Sequence, residues 1–415
     1  MKNNATFLIA LATLLVTMPR ADGQQKLTNL VLRVQGLCYG PFRNGQNPTG
    51  VYPTSSEISA DLGQLKPPTQ RVRTYSVFST LVDIPGLAGK RGLQCYAGAW
   101  VGTDTNANQV EIQRLLRVAH RSKPAALIVG NEVLYSGNPS VEELTNLIKQ
   151  VKAATTLPVG SADTWDEWLE HPEVADVVDV LLVHIHPYHD GVSVKNAAQH
   201  VYRRWQEVKN TYTNKTVVIG ETGWPTAGDT KEDAVPSEEN LCRFLHDFVA
   251  LATASNVPYF LFEAYDEQWK QEFSGVEVEA HWGLLTTNRV MKPCVRAFFD
   301  SPPPLIEIQQ AARCGAIAFS PTKISGNIYR LPVKERSKYR VIIYAYTNAW
   351  YIQPLTFPPY TRINGRGMWT SRTHMGSKYA ALLVKQNYLP SSTLGALPEV
   401  GGDVLAISVA ECATK

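Results

Sequence analysis

Between residues 27 and 300, short apolar runs rich in β-branched side chains alternate with longer amphipathic stretches. Leu32–Tyr39, Arg71–Tyr75, Leu93–Val101, Ala126–Val129, Val159–Ala162, Val177–His186, Val217–Gly220 and Tyr259–Glu263 read as eight strands. The stretches between them open with helix-start signals. Thr54-Ser-Ser-Glu57 and Ser140-Val-Glu-Glu143 have the form of a capping box, and Pro236-Ser-Glu-Glu239 is a third start. Strand then helix, repeated eight times in about 250 residues, predicts an α/β fold, the (β/α)8 TIM barrel, rather than an open sheet. Such a barrel carries its chemistry at the carboxyl ends of the strands.

The pattern changes at Ser301-Pro-Pro-Pro304, where three consecutive prolines cannot continue a helix. Residues 301–305 are expected to be a linker. Beyond it, Val341–Tyr346, Asn348–Gln353 and Val404–Val409 are short apolar runs between turn residues, predicting a small β-rich C-terminal domain over 306–415, a sandwich in one arrangement. Charge marks the same boundary. Residues 24–300 carry 25 Lys and Arg against 31 Asp and Glu, whereas residues 301–415 carry 13 against 5. Two separate folding units are therefore expected.

At the start, Lys2 precedes the apolar run Phe7–Val16, and Ala21-Asp-Gly23 offers a small-x-small cleavage pattern, so residues 1–23 read as a secretory signal peptide. Later runs are too short to cross a bilayer, so a secreted protein of the extracellular space or cell wall, without a membrane partner, is expected. With 415 residues, 44% hydrophobic and 19% charged, the chain is globular, and a net charge of +3 is too small to suggest nucleic acid. A monomer is expected. Six Cys in an exported chain favour disulfides; Cys314 and Cys412, bracketing the C-terminal region, are natural partners. Asn214-Lys-Thr216 is a glycosylation sequon.

The fourth strand runs into Val129-Gly-Asn-Glu132 and the seventh into Gly220-Glu-Thr-Gly-Trp-Pro225, so each delivers one Glu to the barrel mouth. A carboxylate at the end of an apolar strand is costly to bury without a partner. One alone could be a structural ion pair. Two facing across a closed barrel suit glycoside hydrolysis, which needs a proton donor for the leaving oxygen and a nucleophile for the anomeric carbon.

These two motifs, with Gly36-Leu-Cys-Tyr-Gly-Pro41, Phe262-Glu-Ala-Tyr-Asp-Glu-Gln-Trp-Lys270 and Trp282-Gly-Leu284, resemble glycoside hydrolase family 17, the β-1,3-glucanase-like family, in its shorter microbial and fungal form. The likeness runs from about Gly36 to Lys292. It implies retaining cleavage of β-1,3-glucosidic bonds in a glucan polysaccharide or oligosaccharide, with transglycosylation open, and no cofactor or metal. It implies Glu132 as general acid/base and Glu221 as nucleophile, the first protonated at rest and the second ionised. Arg73, with Tyr75 beside it, is the candidate to keep Glu221 anionic. Tyr39, Asn131 and Tyr188 match positions bordering the sugar, and Glu267, Lys270 and Glu279 match a polar cluster supporting the nucleophile.

Trp100, Trp165, Trp224 and Trp269 lie near strand ends; each is a sugar platform or a core residue, and Trp224 is taken as substrate-binding. His184-Ile-His-Pro-Tyr-His189 invites a metal reading, set aside because no other His falls at a strand end. The connection from His189 to Ser193 leaves no room for an added helical subdomain. Trp350, Tyr351, Tyr360 and Trp369 form either a carbohydrate-binding face of the C-terminal domain or its core. Two alternatives to the glucanase stand: a lectin-like wall-glucan binder of weak activity, and a related barrel acting on another β-glucan.

Overall fold

The computed structural model describes residues 34–66, 68–300, 304–314, 321–354, 359–374, 376–398, 400 and 402–413. The expected signal peptide and residues 301–303 of the linker lie outside them. Seven parallel strands form one sheet in sequence order: β1 (Val34–Cys38), β2 (Thr69–Arg73), β3 (Gln94–Ala99), β4 (Ala126–Asn131), β5 (Val159–Thr164), β6 (Val180–His184) and β7 (Thr216–Glu221). The Tyr259–Leu261 segment is the eighth stave. Its Phe260 N donates to Ile219 O and its Leu261 N to Gly36 O, each at 2.9 Å, closing β7 onto β1. The closed (β/α)8 barrel follows.

After successive staves come α1 (Ser55–Leu65), α2 (Ile84–Lys90), α3 (Thr105–Ser122), α4 (Val141–Ala153), α5 (Trp165–Glu170), α6 (Val194–Thr211), α7 (Glu238–Ala254) and α8 (Pro293–Asp300). At α1 the capping box is complete, Thr54 Oγ1 accepting from Glu57 N while Glu57 Oε2 accepts from Thr54 N at 2.8 Å. At α4 only half forms. Ser140 accepts from Glu143 N, but the Glu143 carboxylate turns to Thr105 and Asn108 on α3. Ser237 caps α7 by accepting from Asn240 N.

Strand alternation divides the core into two shells. On β6, Val180 and Leu182 point inward to join Cys38, Ile128, Ala162, Val218 and Phe260 inside the barrel. Leu181 and Val183 point outward against the helices. Both faces of each stave are buried, which explains the continuous apolar runs in the sequence.

The C-terminal region is an antiparallel pair of sheets. One has five strands in the order β14 (Thr393–Leu394), β11 (Trp350–Gln353), β10 (Tyr339–Tyr346), β13 (Lys378–Lys385), β15 (Val404–Glu411); the other has three, β12 (Met368–Thr373), β9 (Thr322–Tyr329), β8 (Leu305–Gln310). Ile306, Ile324, Ile328 and Trp369 of the smaller sheet meet Val341, Ile343, Leu383 and Ala406 of the larger one. The opposite face of β10, Ile342 and Tyr344, packs with Trp350 and Ile352. Of the two readings of these aromatics, the core one holds for Trp369 and Trp350, which are 1% and 8% exposed. Among the described residues, α7 packs against β8 and β15.

Cys314 and Cys412 form a disulfide with Cα atoms 5.0 Å apart. The other four cysteines are thiols in the structure; Cys38 and Cys95 are buried among apolar side chains. Asn214 is exposed in the turn before β7. Among the described residues no helix is long and apolar enough to cross a membrane.

Candidate active site

Both glutamates reach the barrel mouth through an irregularity at a glycine. The β4–β5 register slips between Ile128 and Asn131, and Gly130, at φ 80°, occupies the slip. A side chain there would strike Val133 Cγ2 at 2.8 Å. On β7 the register jumps from Val183↔Ile219 to His184↔Glu221, leaving Gly220 as the extra residue, where a Cβ would meet Leu182 Cβ at 2.8 Å. Each bulge re-aims the following polar residues into the mouth.

Glu132 then takes φ 52° and caps a four-residue helix, Val133–Ser136. Asp163, at the end of β5, holds that helix by accepting from Leu134 N at 2.8 Å and Tyr135 N at 3.2 Å. Burial raises the Asp163 carboxyl to about 6 despite these hydrogen bonds.

Glu221 is almost fully enclosed. Its Oε1 accepts from Arg73 Nη1 at 2.7 Å and from Tyr75 OH at 2.9 Å, and its Oε2 faces His186 Nε2 at 3.2 Å. Burial opposes its charge, but His184, Arg73 and the His186 hydrogen bond outweigh that and hold the carboxyl well below the ordinary value. Arg73 is itself buried. Its Nη2 reaches Asn131 Oδ1 and its Nη1 the Gly220 carbonyl, so it organises the floor rather than facing the cleft.

His184 links the two acids. Its Nδ1 lies 2.7 Å from Glu132 Oε1, and its Nε2 lies 2.9 Å from Arg73 Nη1 and 3.4 Å from Glu221 Oε1. Burial raises the Glu132 carboxyl while the hydrogen bond and charge of His184 lower it, leaving it below its ordinary value. The resting acid was expected to sit high. His184 reverses the direction.

Glutamate and histidine ligand atoms from Glu132, His184 and Glu221 come within 4.8 Å of one another, a set that could surround a cation. Further histidines, whose absence from strand ends spoke against a metal, are not required for such a set, because the glutamates themselves would supply ligands. Arg73 already brings a positive charge to that point.

The expected support cluster is present in altered form. Lys270 Nζ bonds both oxygens of buried Glu263 at 2.6 Å and lies 3.2 Å from Glu267 Oε2, while Glu267 Oε1 accepts from Phe42 N. Burial disfavours the Lys270 charge, but the two carboxylates prevail and hold its pKa above the ordinary value. Glu279 stands apart, 3.8 Å from His189 Nε2.

Three residues expected to touch the sugar are enclosed in the structure. Trp224 is fully buried, its Nε1 donating to Val235 O, so it offers no face to a ring. Tyr39 is 1% exposed with its hydroxyl donated to Asp61, and Tyr188 donates its hydroxyl to Asp229 O. Both brace loops. Trp165 lies beneath Arg204, and Trp269 packs edge-on between Phe42 and Phe273, whereas Trp100 is 51% exposed.

Residues 36–283 match the BtgE/BtgC glycoside hydrolase domain. A β-1,3-glucanosyltransferase of glycoside hydrolase family 17 from Rhizomucor miehei is 31% identical, superposes with a TM-score of 0.56, and is covered over 97% of its length by 66% of this chain. The chain belongs to glycoside hydrolase family 17. An active-site mutant of the Rhizomucor enzyme, 32% identical, was solved in complex with laminaritriose. The glucan 1,3-β-glucosidase of Saccharomyces cerevisiae is 27% identical over 60% of this chain and 87% of its own. Glucan endo-1,3-β-glucosidase btgC of Emericella nidulans is 27% identical over 58% of this chain, and the match spans 42% of that relative.

Within this family 17 site, sequence reasoning missed His184, His186, Asp163 and Glu263. The first two were visible as a strand-end pair but were weighed as metal ligands. Asp163 was visible as the acid just after the fifth strand, and Glu263 as the carboxylate ending the eighth.

Proposed function

We propose that this chain is a secreted, retaining glycosidase of β-1,3-glucan that also transfers the cleaved chain to sugar acceptors. The observation carrying the reading is the pair Glu132–Glu221, with carboxylate oxygens within 4.8 Å. An approach that close suits the about 5–5.5 Å separation of a retaining pair better than the about 6.5–9.5 Å that makes room for an inverting water. Arg73 and Tyr75 hold Oε1 of Glu221, leaving Oε2 to attack the anomeric carbon while Glu132 gives its proton to the departing glycosidic oxygen. Ester formation neutralises Glu221; Glu132 then removes a proton from water or a sugar hydroxyl as that oxygen attacks the anomeric carbon, breaking the ester and restoring the Glu221 carboxylate. With Asn131 Oδ1 occupied by Arg73, its amide NH2 is the group left to donate to the sugar 2-hydroxyl.

Transfer is favoured over pure hydrolysis by two points: nine residues join β6 to α6 without a subdomain, and the Rhizomucor relative is a glucanosyltransferase. The enzyme acts as a monomer, residues 24–300 forming the catalytic domain, 301–305 the linker and 306–415 a basic accessory domain. Incubation with a linear β-1,3-glucan, with products sized over time, tests this. Products both shorter and longer than the starting chain are expected; an unchanged size distribution would overturn it.

A further inference from the structure

Two of the remaining cysteines are in contact. Cys242 lies in the second turn of α7, and Cys294 is the second residue of α8, 52 positions later. The Cys242 thiol donates to the Cys294 carbonyl oxygen at 3.3 Å, so the two residues are in contact. Cys294 N donates to Glu238 Oε1 at 2.8 Å, tying the start of α8 to the first turn of α7. The same chain already closes Cys314–Cys412. Cys38 and Cys95 differ: each is enclosed, burial pushes each thiol up to about 12, and neither has a cysteine neighbour.

We propose that Cys242 and Cys294 are joined by a second disulfide in the exported protein, which rests on the secretion proposed above. The two thiols lose two protons and two electrons, and a disulfide oxidant of the glutathione or dithiol-oxidase class takes them up and becomes two thiols. Burial first, and for Cys294 also its neighbour's hydrogen bond, keeps both thiols above their ordinary pKa. They are thus poor nucleophiles once folded, and the bond forms while the chain folds. It would close a loop holding the eighth stave and the whole Glu263–Glu267–Lys270 cluster, and it would anchor α7, the helix on which β8 and β15 rest.

The full chain is refolded in a mixed oxidised and reduced glutathione buffer until Cys314–Cys412 is closed, then alkylated without reduction and mapped by mass spectrometry. That closed pair reports oxidation independently of secretion or activity. The expected result is a cross-linked Cys242–Cys294 peptide with alkylation confined to Cys38 and Cys95. Alkylation of both Cys242 and Cys294 alongside a closed Cys314–Cys412 would overturn the proposal. Cys294→Ser should lower the melting midpoint by about 5–10 °C in that buffer; an unchanged midpoint would count equally against it.

Discussion

The barrel and the β-rich region bury very different things. Among the described residues, the barrel encloses Asp61, Arg73, Glu111, Asp163, His184, Glu221, Glu263, Asp266, Glu267 and Lys292, whereas the buried polar residues of the β-rich region are Gln353, Thr361 and Thr373. Burying a charge is expensive unless it is paired and hydrogen-bonded. The barrel meets that cost at one end, where Arg73, His184 and Lys270 sit within hydrogen-bond reach of carboxylates. Chemistry is concentrated there. The sandwich has committed Trp350 and Trp369 to cohesion.

If that contrast is right, the largest effect belongs to Glu221→Gln, which should cut glucan turnover by ~10³-fold or more while circular dichroism stays native. Wild-type turnover in the folded variant would remove Glu221 from the chemistry. In the sandwich, Trp369→Ala should cost about 3–5 kcal/mol of stability, read by denaturant unfolding, with kcat/KM on soluble oligosaccharides nearly unchanged in the folded fraction. A selective loss of glucan binding at equal stability would show that Trp369 touches sugar.

Proton linkage sharpens the contrast further. Asp163 has its folded pKa raised, so the stability it contributes is present below its ordinary value near 4 and is lost as pH climbs through about 6. Asp163→Asn should flatten that slope, by on the order of 2 kcal/mol, in melts taken from pH 4 to 7. Glu221 runs the other way: its depressed pKa gives stability that is complete above the ordinary carboxylate range and fades as pH falls below it. Activity has a smaller signature. Because His184 draws Glu132 below its ordinary value, the protonated acid becomes scarcer above it, and kcat/KM should rise as pH drops from 7 toward 5. Replacing His184 by Asn should move that basic limb upward.

Eight strands, three helix starts and both glutamates could be read from periodicity and motif, because a carboxylate ending an apolar stave carries a desolvation cost that only a close partner or a reaction offsets. What escaped was two-body geometry. Gly130 and Gly220 create bulges whose purpose is visible only against neighbouring strands. The two histidines of β6 and its following loop looked like ligands because their partners come from β2, β4 and β7, distant in the chain. Trp224 looked like a platform from its place after a strand, yet the ring turned back under Phe244. The C-terminal aromatics could be assigned to neither surface nor core for a related reason: a sheet buried on both faces leaves no alternation by which the two could be told apart.

The central claim is that Glu132 and Glu221 act as acid/base and nucleophile in a double displacement. Proton NMR of the reducing ends released in the first minutes from a β-1,3-linked oligosaccharide reads this directly, before the anomers equilibrate. The account predicts that the β-anomer appears first and decays toward the equilibrium mixture. Initial release of the α-anomer would mean a single displacement by water, and Glu221 could not be the nucleophile.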